Sequence, residues 1–125
     1  MRRALLTAAA ILAFAAVVAA APPAFAGYGA IAWDKETGKY GWSRNQTTAQ
    51  KAAELAIAGC GATGCKVVIR MTTPTLCGAL ATTSDGKNAG GASRKTQDEA
   101  RLAALASCKK ANKGECVIRI AECGK

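Results

Sequence analysis

The stretch Gly29-Ala30-Ile31-Ala32 returns 49 positions later as Gly78-Ala79-Leu80-Ala81, and this repetition decides the fold class. Further along, Thr47-Thr48-Ala49-Gln50 is matched at the same spacing by Thr96-Gln97-Asp98-Glu99. Each of these two strings has a Thr followed three residues later by Gln or Glu, the capping box that begins a helix. The sequence therefore contains one structural unit twice.

The two copies, residues 27–73 and 74–125, have the same order of predicted elements. A first strand is followed by a turn of hairpin type and a second strand. An alanine-rich helix comes next, since Ala has the best helix propensity and lets a helix lie close to a sheet. A third strand ends the copy. We predict strands at 28–33, 39–43, 66–71, 77–82, 88–93 and 116–121, and helices at 48–59 and 97–108.

This order predicts an α+β fold, a tandem β-β-α-β repeat that forms one antiparallel-sheet domain with two helices. One copy alone cannot bury its sheet face, so we expect the copies to share one core.

All six cysteines follow residue 59, and an even number in a small exported chain is typical of disulfides. In each copy one cysteine ends the helix and another begins the third strand, so these two pairs occupy equivalent positions in the repeat. Two cysteines remain. The repeat thus favours the pairs Cys60–Cys65, Cys108–Cys116 and Cys77–Cys123. Metal binding is disfavoured because the chain has no His and no C-x-x-C. A catalytic thiol lacks a base.

The beginning of the chain predicts a secretory signal peptide over residues 1–26. Arg2 and Arg3 precede an apolar run, and Ala24-Phe25-Ala26 forms an A-x-A cleavage site. Cleavage would leave residues 27–125 as a single exported domain, secreted or periplasmic, with no transmembrane helix. The alternative is an uncleaved membrane anchor.

Composition removes several classes of enzyme. The chain has 17 Lys and Arg, 8 Asp and Glu, and no His, for a net charge of +9. Without His there is no Ser-His-Asp triad and no imidazole base. We therefore predict no catalytic, cofactor-binding or metal-binding residues.

The aromatic residues after the signal segment all lie in the first hairpin, beside three basic residues. Two interpretations stay open: a stacking surface for a partner, or bulk for a core poor in large side chains. The candidate partner-binding residues are Tyr28, Trp33, Tyr40, Trp42, Lys35, Lys39 and Arg44. A second basic cluster is the run Lys109-Lys110-Ala111-Asn112-Lys113.

Several of these strings resemble a family of small exported bacterial proteins, the domain of unknown function 4189. The resemblance implies a secreted or periplasmic α+β domain with no established enzymatic activity. It covers nearly all of the chain after residue 26, and the strings that carry it are Tyr28-Gly29-Ala30-Ile31-Ala32, Tyr40-Gly41-Trp42-Ser43, Gly59-Cys60-Gly61, Cys65-Lys66-Val67-Val68 and Cys77-Gly78-Ala79-Leu80-Ala81.

The leading functional hypothesis is a non-enzymatic exported binding module whose partner is a protein or an acidic envelope polymer. Nucleic acid is not expected, because no motif for it is present. The alternative is a secreted effector or toxin-like protein that acts on another cell or its membrane, with the run at 109–113 giving surface attraction. A hydrolase with an unrecognised site is a third hypothesis, and the oligomeric state is left open.

Overall fold

The computed structural model describes residues 26–111 and 114–125. Residues 1–25, which make up nearly all of the predicted signal peptide, lie outside the described residues.

Both copies fold as β-β-α-β, which confirms the predicted tandem repeat. The strands form two three-stranded antiparallel sheets, one from each copy, and in each sheet the first strand of the copy is central. The elements of the first copy are β1 (Tyr28–Trp33), β2 (Tyr40–Gln46), α1 (Ala49–Cys60) and β3 (Lys66–Met71). Those of the second are β4 (Cys77–Thr83), β5 (Ala89–Arg94), α2 (Gln97–Ala111) and β6 (Cys116–Cys123).

Side-chain alternation along the central strands sorts the molecule into four layers, helix, sheet, sheet and helix. In β1, Ala30 and Ala32 face α1 and pack against its buried alanines, because successive residues of a strand point to opposite faces. Ile31, between them, faces the other sheet and packs with Leu80 of β4. The second copy repeats the pattern, with Ala79 and Ala81 against α2. The two copies therefore share an apolar layer between the sheets.

Glycine allows each helix to lie directly on its sheet. A Cβ at Gly41 of β2 would overlap the backbone nitrogen of Cys60 and the carbonyl oxygen of Ala56 in α1. At the equivalent place in the second copy, a Cβ at Gly90 would overlap the backbone nitrogen of Cys108 in α2. Strand and helix backbones are thus in contact at one point of each copy.

Three disulfides join the six cysteines in the pairing that the repeat predicts. Two of them connect the end of a helix to the next strand and are called here the helix-exit disulfides, Cys60–Cys65 and Cys108–Cys116. The third, Cys77–Cys123, joins paired residues of β4 and β6. Three disulfides in so short a chain are typical of an oxidising, exported environment.

The first helix begins one residue later than its capping box predicts. Thr48, not Thr47, caps α1, and its hydroxyl accepts a hydrogen bond from the Lys51 backbone N–H at 3.0 Å. The cause is an extra residue in β2, where the pairing with β1 shifts and Asn45 adopts a φ of 57°. The pairing of β4 with β5 has no such shift. Thr96 caps α2 as predicted, accepting from the Glu99 N–H at 3.1 Å.

Within residues 26–111 and 114–125, neither helix is long and apolar enough to cross a bilayer.

Candidate functional site

A pocket of about 280 Å³ opens beside the turn of the first hairpin. It lies between this turn and the start of β3, which pairs with β1 so that Trp33 is the partner of Lys66. The pairing brings together two segments about 30 residues apart in the chain. The lining residues are Trp33, Asp34, Lys35, Glu36, Gly64, Lys66 and Val68.

Asp34 provides a fixed negative charge in the pocket lining. Its side chain is 3% exposed, and its carboxylate accepts hydrogen bonds from the Thr37 hydroxyl at 2.7 Å and the Glu36 N–H at 3.2 Å. The Thr37 hydrogen bond is the main cause of a lowered pKa at Asp34, and the backbone N–H groups and the charge of Lys39 act in the same direction, against the cost of burial. The Asp34 carboxyl is therefore ionised at neutral pH.

Gly64 lets the loop after α1 close over this carboxylate. A Cβ at Gly64 would lie 2.6 Å from Oδ1 of Asp34, too close for two atoms that are not bonded. Any side chain at this position would displace either the Asp34 carboxylate or the loop, so glycine at 64 allows the two to be this close.

The apolar part of the lining comes from Trp33 and Val68. The indole N–H of Trp33 donates to the carbonyl oxygen of Gly86 at 2.8 Å, which ties the ring to the second copy. Val68 is 45% exposed. The remaining side chains, Lys35, Glu36 and Lys66, are exposed around the rim. The pocket thus combines a buried carboxylate, an aromatic ring and two lysines.

The other predicted aromatic residues lie away from the pocket. Tyr28 packs against the helix-facing core of the first copy. Tyr40 is half-buried between the sheets, and its hydroxyl donates to the carbonyl oxygen of Arg119 at 3.3 Å. Of the four candidates only Trp42 is exposed, at 46%, and its ring centroid lies 6.4 Å from that of Tyr40. The four aromatic residues do not form one surface, and three of them add bulk to the core.

A glycine replaces Trp42 in the second copy. By the repeat Gly91 is the counterpart of Trp42, and a Cβ at Gly91 would lie 2.5 Å from Cδ1 of Ile69. In the second copy this position is therefore filled from the facing sheet, while in the first copy the indole reaches the surface. The aromatic character of the first hairpin is not duplicated.

The predicted basic residues are also divided. Lys35 lines the pocket, and Lys39 is exposed at the end of the same turn. Arg44 forms an ion pair with Glu122 of β6 at 3.4 Å, with side chains 57% and 27% exposed. A pair this exposed contributes little to stability. Lys66, which the sequence did not single out, is the other basic residue of the pocket.

The basic run of the second copy lies at the C-terminal end of α2, where Lys109 and Lys110 are exposed. Residues 112 and 113 of this run lie outside the described residues. The effector hypothesis depends on this run and stays a prediction. In the part of the chain that the structure describes, no group of three Cys, Asp or Glu residues is arranged to hold a metal ion.

Sequence reasoning missed most of the pocket. In the sequence, Asp34 and Glu36 fall in the turn between the first two predicted strands, and Gly64, Lys66 and Val68 lie beside the predicted Cys60–Cys65 pair. The available signal was the repeat itself, because it predicts that the first and third strands of a copy belong to one unit. It does not say that these strands pair, so it could not bring residue 34 to residue 64.

Comparisons with known proteins agree with the fold and name no activity. The sequence profile of a family described as a domain of unknown function (DUF4189) matches residues 28–123, from the first residue of β1 to the last of β6. Among solved structures, the NMR structure of Rv1813c from Mycobacterium tuberculosis is similar, with 27% sequence identity and a TM-score of 0.57. The similarity covers 98% of this chain and 97% of that chain. No curated protein matches the sequence.

Proposed function

The chain belongs to the DUF4189 family, and we propose that it is a non-enzymatic, exported binding module that holds its partner at the pocket of the first copy. The observation that carries the proposal is the composition of this pocket: a tryptophan ring and a valine beside a buried, ionised carboxylate, with lysines at the rim. An apolar wall with a few placed polar groups is what ligand sites have in common.

The size of the pocket favours one group of a larger partner over a whole small molecule. Its volume of about 280 Å³ lies just below the roughly 300–1,000 Å³ of small-molecule sites. A single side chain or sugar ring fits this space. The remainder of the partner would lie across the exposed rim, which carries Lys35, Glu36 and Lys66.

The state of Asp34 supports binding over catalysis. A general acid or base works best with a pKa near the working pH. The pKa of Asp34 is shifted the other way, and its carboxylate is already engaged by the Thr37 hydroxyl and the Glu36 N–H. Such a carboxylate is a fixed charge that orients a ligand.

The rim favours a partner with acidic character, a protein or an envelope polymer. Lys35, Lys39 and Lys66 are exposed, and among the described residues none of them forms an ion pair. The chain has a net charge of +9, and the domain left after cleavage of the predicted signal peptide keeps 15 basic against 8 acidic residues, +7, which adds a general attraction for acidic partners. The three disulfides and the predicted signal peptide support a secreted or periplasmic location.

A charge-matched pair of variants tests the proposal. Lys35→Gln/Lys66→Gln removes two charges from the rim of the pocket, and Lys109→Gln/Lys110→Gln removes two from the end of α2. Polyglutamate serves as the acidic probe, and its affinity is measured by isothermal titration calorimetry at two salt concentrations. We expect the rim variant to lose at least about fivefold more affinity than the α2 variant.

Two results contradict the proposal. Equal losses in both variants would mean that polyglutamate responds only to net charge. If the unmodified protein does not bind polyglutamate, the proposal of an acidic partner is wrong.

A further inference from the structure

Comparison of the two copies shows that the pocket of the first has a filled counterpart in the second. Arg119 of β6 lies against the second hairpin, and its guanidinium donates to three oxygens. Nε bonds the Thr82 hydroxyl at 2.8 Å, and Nη2 bonds the carbonyl oxygens of Thr83 at 3.3 Å and Ser84 at 3.1 Å. In the second copy an arginine of the chain itself thus occupies the space beside the hairpin.

Strand register makes Val68 the counterpart of Arg119. In the first sheet the pairing shifts by one residue between Ile31 and Ala32, which leaves Val68 as the extra residue of β3. In the second sheet the same shift falls between Leu80 and Ala81 and leaves Arg119 as the extra residue of β6. Both residues are bulged at the same point of the repeat. The pocket is the space that an arginine fills in one copy and a valine leaves open in the other.

The carbonyl oxygen that accepts a hydrogen bond from Arg119 in the second copy has a counterpart in the first hairpin. The carbonyl oxygen of Asp34 accepts from the Gly38 N–H at 2.8 Å, just as that of Thr83 accepts from the Gly86 N–H at 2.9 Å. A carbonyl oxygen can accept more than one hydrogen bond, and in the second copy that of Thr83 also accepts from the Thr82 hydroxyl at 2.9 Å and from Arg119 at 3.3 Å. In the first copy, Asp34 belongs to the pocket lining, and among the described residues no guanidinium donates to its carbonyl oxygen.

Two replacements make the first pocket better suited to a cation than the second. Trp33 stands in place of Thr82, and an aromatic ring attracts a guanidinium over its face. Asp34 stands in place of Thr83 and adds an ionised carboxylate that is 3% exposed. Guanidinium is planar, has five donors and loses less hydration than an ammonium ion, so it matches this lining better than lysine does.

We propose that the pocket of the first copy binds the arginine side chain of a partner protein, in the manner in which Arg119 fills the second copy. The inference rests on the proposed function and names the group that enters. Lys35 and Lys66 at the rim oppose a lone cation, so the arginine is expected within an acidic segment, whose carboxylates meet these two lysines.

Peptide binding tests the inference. Three capped pentapeptides are used, each with a central Arg, Lys or Gln between two pairs of Glu. Binding to the oxidised ¹⁵N-labelled protein is followed through the backbone amides of the pocket and the indole N–H of Trp33. We expect the Arg peptide to bind about tenfold tighter than the Gln peptide, since charge-assisted hydrogen bonds are the strong ones. The Lys peptide should fall between them.

Two substitutions supply the internal control. Val68→Arg gives the first copy its own guanidinium and should abolish the preference for the Arg peptide. Val117→Arg adds the same group to an equally exposed valine of β6, 44% against 45%, outside the pocket. This control should leave the preference unchanged. A thermal melt of each variant checks that it is folded, and Val68→Arg should not lower the melting temperature.

The outcomes separate the two proposals. If all three peptides bind equally and Val68→Arg blocks them, the pocket is a binding site but not one for guanidinium, and only the inference fails. Equal effects of Val68→Arg and Val117→Arg also overturn it, because they indicate charge repulsion alone. If no peptide shifts the pocket resonances, the inference fails, and the polyglutamate titration decides the proposed function separately.

Discussion

Two glycines that face each other across the contact between β2 and α1 should respond to alanine in opposite directions. Gly41 lies in the strand, and its added Cβ would overlap backbone atoms of Cys60, Ala56 and Gly59. Backbone atoms cannot rotate away as a side chain can, so α1 would have to move off the sheet. Gly59 lies in the helix, and its added Cβ would be 3.7 Å from the Cα of Gly41, an ordinary van der Waals distance.

The magnitudes follow from these two environments. Overpacking costs about 1–3 kcal/mol, and for Gly41→Ala we expect the upper end, because the movement also separates Ala52 and Ala56 from β1. In a domain of this size the melting temperature would fall by roughly 12–24 °C. Gly59→Ala removes a flexible residue from a helix and should add about 0.5–1 kcal/mol. Its melting temperature should rise by roughly 2–8 °C.

Thermal unfolding followed by circular dichroism, without reductant, measures both variants. Gly90→Ala in the second copy repeats the first experiment and should behave as Gly41→Ala does, because its Cβ would overlap the backbone of Cys108. A Gly41→Ala variant as stable as the unmodified protein would refute the direct contact between strand and helix. So would a Gly59→Ala variant that is destabilised to the same extent.

Two further predictions concern the disulfides and the hairpin carboxylate. Replacing Cys77 and Cys123 by Ala should cost about 4 kcal/mol in denaturant unfolding, against about 2–3 kcal/mol for either helix-exit disulfide, because the bridged residues are 46 positions apart instead of 5 or 8; equal costs would contradict the entropic account. The hydrogen bond from Thr37 lowers the pKa of Asp34 below its ordinary value of 3.8, so the folded protein binds fewer protons there than the unfolded chain does. Its contribution to stability is present above pH 3.8 and is lost as the pH falls through the lower folded value. Between about pH 5 and 2, the free energy of unfolding should therefore change less with pH in Asp34→Asn than in the unmodified protein. The same pH dependence in both proteins would count against the hydrogen bond.

The repeat predicted the order of the elements and favoured the cysteine pairing that the structure shows, because both depend on residue types that recur at fixed spacing. It failed at Thr47, where one extra residue near Asn45 in an edge strand moved the helix cap to Thr48. That residue leaves the alternation of the central strand unchanged, so no pattern in the sequence revealed it. The division of the strands into two sheets was likewise not predicted, since it depends on the partner of each strand edge.

The pocket could not be predicted for a different reason. It is defined by the contrast between Val68 and Arg119, two residues that look unrelated until the bulged register aligns them. An exposed valine and a basic residue in a strand are each ordinary. Only the hydrogen bonds of Arg119 to the second hairpin show which contacts are absent at Val68 in the first.

All six cysteines lie in the described part of the chain, and each disulfide closes within one copy. The halves are thus joined covalently only by the short peptide segment 72–76 between β3 and β4. A protease that cuts this segment would release two fragments that separate on a non-reducing denaturing gel, while Ile31, Ile69 and Leu80 would still hold them together in native solution. The same apolar contact between the sheets would allow a split protein, in which the two copies are produced as separate polypeptides and associate on mixing. It also gives two molecules a route to exchange halves.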